Sequence, residues 1–442
     1  MIILLKMLAV LTLMVFLLKR KTPFGNAMLA STLLLFLITT PETSKLIFSV
    51  KQTVIKPETW FMIITLYLVM CLEYLLRTSG ILKDFTASAR KLFRSDRILL
   101  GFMPAFLGFL PSFGGAIFSA PLVKEAAKRY QLSPERLTAI NYWFRHVWEF
   151  TNPILPAILL ASQLTRIPVG TIIGNQFIFS IAAIIIGVFV LLTGKSFRNK
   201  DIVNREDTQD KNIHYQEILI RNQNNTNSET PCDTTTSEVQ TLPEKTSLSA
   251  KMAIRSILLA AGPIFINILL VVVWDMNTAL ALILVVSCMT MILKLNIHKI
   301  KGMLISSFDF PMLWGVITIL FFQQMLDTTG TIDQIVLVFE SSGIPAVAII
   351  SITAFVIGLL VGSPQGFVAV AFPLIIPLAP GNMDVIAMGY IAGLFGTMTS
   401  PAHLCQIVTL QYFKADFIKS LLPIIFMEIL LTVFALTYIY IL

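Results

Sequence analysis

The sequence predicts an all-α polytopic membrane protein made of two inverted-topology repeats. Three observations predict it. Of 442 residues, 56% are hydrophobic and only 13% charged, and mean hydropathy is +0.80. Soluble domains carry about 45–50% apolar and about 25% charged residues. Apolar stretches near the ~20 residues that span a bilayer recur along the chain. Threading them through a membrane sorts the basic residues to one side.

Continuous spans are expected near 1–18, 24–40, 58–76, 168–194, 251–274, 277–293, 303–326 and 417–442. Two further regions are long enough to span but interrupted, 137–162 at Thr151-Asn152-Pro153 and 384–411 at Thr399-Ser400-Pro401. Two more are split by Pro and Gly, 98–123 at Pro111-Ser112-Phe113-Gly114-Gly115 and 344–380 at Gly362-Ser363-Pro364-Gln365-Gly366. These last read as hairpins that enter the membrane and leave on the same side. Each repeat therefore has five transmembrane helices, one of them broken, plus a re-entrant helical hairpin.

The first repeat is residues 1–194, with its hairpin entering from the cytoplasm, and the second is 251–442, with its hairpin entering from outside. Between them, 195–250 is polar, charged and poor in large apolar residues. Such a composition buries no core and reads as a flexible cytoplasmic linker. With both termini outside, 27 of the 33 Lys and Arg fall on the cytoplasmic side. That bias accounts for the net charge of +8 without nucleic acid. The basic cluster Lys19-Arg20-Lys21 follows the first apolar stretch. A first transmembrane helix is expected there, not a cleaved signal. Cys71, Cys232, Cys288 and Cys405 show no paired spacing, so neither a disulfide framework nor a zinc site is expected.

Residue matches support the repeat. Pro121-Leu122 matches Pro373-Leu374, and Asn141 to Pro153 spans 12 positions, as does Gly389 to Pro401. Inverted repeats with paired broken helices point to a secondary transporter with a midplane site. In hydrocarbon every backbone polar group must be paired, so a break belongs in a wet cavity or inside protein. Half-helix N-termini attract anions, and freed carbonyls and hydroxyls can hold Na⁺. Candidate binding residues at the breaks are Ser112, Gly114, Gly115, Thr151, Asn152, Ser363, Gln365, Gly366, Thr399 and Ser400. For any one of them, capping a turn is the alternative.

Asn141, Arg145, His146, Glu149 and Asn152 lie on one segment. Steps of 4, 4 and 3 put Asn141, Arg145, Glu149 and Asn152 on one helical face, where Arg145 and Glu149 can pair. Intramembrane charges face the interior and pair. Arg145 can oppose an anionic substrate, with Glu149 or His146 handling a proton. A structural ion pair is the equal alternative. His403 follows the second break and is either a proton site or a packing residue. Glu73 and Glu428 read as solvated or paired.

Residues 104–121, 141–149 and 400–405 resemble a prokaryotic integral-membrane family of the ion-transporter superfamily. Its relatives include gluconate permeases, divalent-anion/sodium symporters and arsenite permeases. The resemblance implies two inverted repeats, a dimer and elevator-type movement of substrate. The divalent-anion members carry Ser-Asn-Thr at both hairpin tips, where this chain has Pro111-Ser112-Phe113-Gly114-Gly115 and Gly362-Ser363-Pro364-Gln365-Gly366.

The expected function is secondary transport of a small organic anion, coupled to Na⁺ or H⁺. The setting is the inner membrane, with a homodimer as the assembly and no cofactor beyond Na⁺ as a candidate coupling ion. A cation/proton antiporter and a non-transporting scaffold are the rivals. An enzyme is not expected, because neither HExxH nor a Walker A pattern occurs.

Overall fold

The computed structural model describes residues 2–20, 22–81, 85, 88, 95–109, 115–194, 197 and 250–441. Apart from Phe197 and Ala250, the expected linker lies outside these residues, as do Ser112 and Gly114 of the first hairpin tip. Among the described residues the regular structure is helical throughout. Six segments there are long and apolar enough to cross a bilayer, including Met383–Phe413 with its interruption. The chain is an all-α polytopic membrane protein.

The first half runs α1 Ile2–Lys19, α2 Phe24–Thr39, α3 Thr43–Ile55, α4 Pro57–Thr78, α5 Asp96–Gly108, α6 Gly115–Ala126, α7 Pro134–His146, α8 Pro156–Thr165 and α9 Val169–Leu191. The second runs α10 Ala250–Val272, α11 Thr278–Ile292, α12 Ile297–Ser306, α13 Phe310–Thr328, α14 Thr331–Glu340, α15 Ala346–Val361, α16 Pro364–Ile375, α17 Met383–Thr399, α18 Leu404–Phe413 and α19 Phe417–Ile441. Both hairpins form, α5 on α6 and α15 on α16. Both expected breaks form too, between α7 and α8 and between α17 and α18.

Local chemistry sets these boundaries. Ser133 and Asn382 cap α7 and α17, accepting from the backbone N–H of Arg136 and Val385. Pro156 and Pro364 open α8 and α16, where a missing N–H costs nothing. The Arg136 guanidinium donates to the carbonyls of Leu191 and Thr193, closing the C-terminus of α9. Gly362 ends α15 at φ 67°, a conformation that suits glycine.

One expectation is corrected. The stretch 303–326 is not one span but parts of α12 and α13. Asp309 caps α13, its Oδ1 accepting from Met312 N at 3.0 Å, and Pro311 occupies the first turn, so a new helix starts there. The connection between the expected spans 24–40 and 58–76 contains a further helix, α3, over 43–55. It is too short to span, and it buries Ser49 and Thr53 while Ile47 and Val54 stay exposed.

The contacts between the halves come in exchanged pairs. α2 packs on α13, and α11 on α4. α16 of the second hairpin packs on α8, and α6 of the first hairpin packs on α18. A two-fold axis between repeats produces this exchange, and inverted repeats place that axis in the membrane plane. From the broken helices onward the register is continuous. Advancing Pro156–Thr165 onto Leu404–Phe413 also carries Val169 onto Phe417.

Candidate functional site

The repeat register explains how each break is held. Tyr142 on α7 donates to the carbonyl of Met398, at the end of α17. Its equivalent, Tyr390 on α17, donates to the carbonyl of Glu149, just past α7. Both bonds are 2.9 Å long. Each break is therefore capped by a hydroxyl from the other half.

The break residues tie back to their own hairpins. Asn152 donates to Phe109 O at 2.8 Å, and its equivalent, Ser400, donates to Leu359 O at 2.7 Å. Both side chains also accept from the backbone N–H two residues on, at Ile154 and Ala402. Close glycine contacts complete each joint. A Cβ on Gly108 would lie 2.1 Å from Arg145 O, and one on Gly358 2.2 Å from Gly393 O.

Between the halves, beside these joints, lies a cavity of about 230 Å³. Arg145, His146 and Glu149 line it from the first half, and Ser363, Gln365, His403 and Cys405 from the second. Three helix N-termini also reach it, at Pro156, Pro364 and Leu404. In none of them does the N-cap side chain bond the first-turn N–H groups. Each such end carries a partial positive charge of about half an elementary unit. The Arg145 guanidinium, which donates to Leu107 O at 3.1 Å, adds a positive group to the lining, beside the carboxyl of Glu149.

Two histidines meet in its wall. Tyr142 O can only accept, so His146 donates to it from Nδ1 at 2.7 Å. His146 Nε2 then accepts from His403 Nε2 at 3.1 Å. Donor atoms of His146, His403 and Cys405 lie within 4.8 Å of one another, close enough for one metal ion. The surrounding helix N-termini favour an anion over a cation.

The sequence-expected residues divide accordingly. Arg145, His146, Glu149, Ser363, Gln365 and His403 come together around the cavity. Thr151, Asn152, Thr399 and Ser400 do not. Thr151 pairs with Ser180 at 2.9 Å, and Thr399 bonds carbonyls of its own helix. A Cβ on Gly366 would meet Ser363 and Val361, so this glycine serves close packing. Gly115 opens α6. The shared face drawn through Asn141, Arg145, Glu149 and Asn152 is corrected, because α7 ends at His146 and Asn152 turns to the hairpin. Glu428 is not solvated. It is 4% exposed and its Oε2 has no hydrogen-bond partner. Sequence reasoning missed Tyr142, Tyr390 and Cys405 as site elements. The 12-residue match between the breaks already aligns the two tyrosines.

A family model matches residues 2–208 and 243–442, nearly the whole chain. The chain belongs to the DUF401 family. That family is described as proteins of unknown function. The part of this DUF401 chain left unmatched, 209–242, falls within the expected linker. No curated protein matches the chain significantly. Among solved structures, the chain is similar to the YdaH transporter of Alcanivorax borkumensis, described as having an unusual topology. The two share 12% identity with a TM-score of 0.46, over 90% of this chain and 86% of that one. At that level the likeness says nothing of substrate or mechanism.

Proposed function

We propose that this DUF401 protein is a secondary active transporter of a small organic anion, coupled to Na⁺ or H⁺. One observation carries the reading. Three helix N-termini without side-chain caps and the Arg145 guanidinium converge on one cavity between two repeats. N–H groups of a helix's first turn are donors suited to an anion, and the helix dipoles favour its charge. Arg145 supplies a full charge and a planar fork suited to a carboxylate.

Paired breaks at a repeat interface are how secondary transporters build a central site. The elevator motion, the homodimer and membership of the ion-transporter superfamily belong to the same proposal. So do the inner-membrane setting, the outside termini and a cytoplasmic 195–250.

The test is thermal stability of the detergent-purified protein against sugar acids, mono- and dicarboxylates and inorganic oxyanions. Each is run with Na⁺, with K⁺ only, and at two pH values. A bound ligand at a hundredfold excess over Kd stabilises by about 2.7 kcal/mol. The expected result is a rise with one anion class that Arg145→Ala abolishes. A melting point moved only by Na⁺ or pH would replace this reading with cation/proton exchange.

A further inference from the structure

The repeat register exposes a carboxyl that the fold does not need. Advancing α9 onto α19 places Ser180 on Glu428. In the first half, Ser180 pairs with Thr151 and is satisfied. In the second, Thr399 stands where Thr151 does, but it bonds its own helix. Glu428 is left buried with Oε2 unpartnered. A serine meets the packing requirement of this position, as the first half demonstrates. A buried carboxyl with an oxygen left unpartnered inside a membrane protein is costly and marks function by default.

Glu428 opens onto a second, much smaller cavity of about 20 Å³. A void of about 10–15 Å³ holds one water. Glu149, His146 and Glu428 are among the residues that line it, with Trp143, whose indole is committed to Ala183 O. The rest of its lining is apolar, including Leu394 and Met398. Glu149 and His146 line the large cavity as well. Glu149 thus stands between the large cavity and the pocket that holds Glu428.

We infer that Glu428 is a proton-carrying site that exchanges with Glu149 through a single water in the small cavity. The proton passes from one carboxyl to the water while the water gives another of its protons to the second carboxyl. Charge moves and no bond between heavy atoms changes. This identifies H⁺ as the coupling ion. Its purpose rests on the transport reading, although its geometry does not. The groups facing Glu428 are few. α7 contributes Tyr142 and His146, with Glu149 just beyond it, and α9 carries no ionisable residue. α17 contributes Tyr390, whose hydroxyl is committed to Glu149 O, and Asp384 in its first turn, remote from Leu394 and Met398 at the cavity.

The test is infrared difference spectroscopy of the lipid-reconstituted full-length protein between acid and alkaline pH. Wild type, Glu149→Gln, Glu428→Gln and Glu428→Ser are compared. Glu428→Ser installs the residue that the first half carries at Ser180, so it keeps the test open if the glutamine variant does not fold. The expected result is a protonated-carboxyl band lost in both Glu428 variants. The Glu149 band should also change its midpoint by about one pH unit or more, the mark of two coupled sites. Identical bands and midpoints in wild type and Glu428→Ser would overturn the inference. The anion-panel melting data separate the two readings. Anion binding without proton exchange at Glu428 leaves the transporter and removes its proton carrier. Coupled carboxyl bands without any anion binding keep the carrier and remove the anion.

Discussion

Tyr142 and Tyr390 each cap the helix break of the other's half, at 2.9 Å in both cases. The two breaks, at the two ends of the repeat register, are therefore mutually supported. An interrupted membrane helix leaves carbonyls that hydrocarbon cannot satisfy. Here a buried phenol from the opposite repeat reaches one such carbonyl at each break.

Tyr142→Phe and Tyr390→Phe should each destabilise the protein by about 1–3 kcal/mol, the cost of leaving a buried acceptor unpaired. The repeat equivalence predicts similar losses for the two. Melting curves of the purified variants check this. A neutral Tyr390→Phe beside a damaging Tyr142→Phe would deny the exchange.

The close glycine joints make a second prediction. Gly108→Ala and Gly358→Ala would drive a methyl into a backbone carbonyl, at 2.1 and 2.2 Å respectively. Backbone cannot yield as a side chain does, so both variants should melt well below wild type or fail to accumulate. Gly174 on α9 meets nothing within 4 Å and is exposed. Gly174→Ala should be neutral or stabilising by up to about 1 kcal/mol, since a helical glycine carries an entropic cost.

Much of this architecture was legible in the sequence. Hairpins and breaks showed because proline and glycine interrupt runs long enough to span. The functions of the break residues were not legible. Thr151, Asn152, Thr399 and Ser400 are types that hold ions, and they are equally types that hold backbone. Their direction depends on where a hairpin 40-odd residues away comes to rest, as the span from Asn152 to Phe109 illustrates. Tyr142 and Tyr390 were hidden differently. A tyrosine in an apolar run looks the same whether it faces lipid or caps a break. Glu428 appeared ordinary until the register set it against Ser180.

Gly362 tests how the second hairpin tip meets the cavity. Its φ is 67°, and an added Cβ would lie 2.9 Å from Ser400 Oγ and 3.0 Å from Ala402. Gly362→Ala should cost at least about 1 kcal/mol in backbone strain alone. It should also push Ser363 and Gln365 out of the cavity wall. Ligand-induced melting shifts should shrink with it, more than for Gly174→Ala.

Arg145 provides the specificity test. Arg145→Lys keeps a charge but loses the planar fork and the reach to Leu107 O. Anion affinity should fall about 10-fold or more, the range of a charged hydrogen bond worth about 1.5–3 kcal/mol. Titration by melting shift or calorimetry, using whichever anion class binds wild type, checks it. Equal affinities for lysine and arginine would mean that Arg145 acts as a point charge alone.

Several side chains that differ between the two halves gather at the cavities. Arg145, His146 and Glu149 stand opposite Gly393, Leu394 and Thr397 in the register, and His403, Cys405 and Glu428 opposite Leu155, Ala157 and Ser180. A chain assembled from two first halves would keep the joints and carry the arginine twice. It would lack His403, the thiol of Cys405 and the carboxyl of Glu428. Two second halves would have those and not Arg145. Duplication can supply such a scaffold, whereas its chemistry exists only in the heterologous pairing of one half with the other.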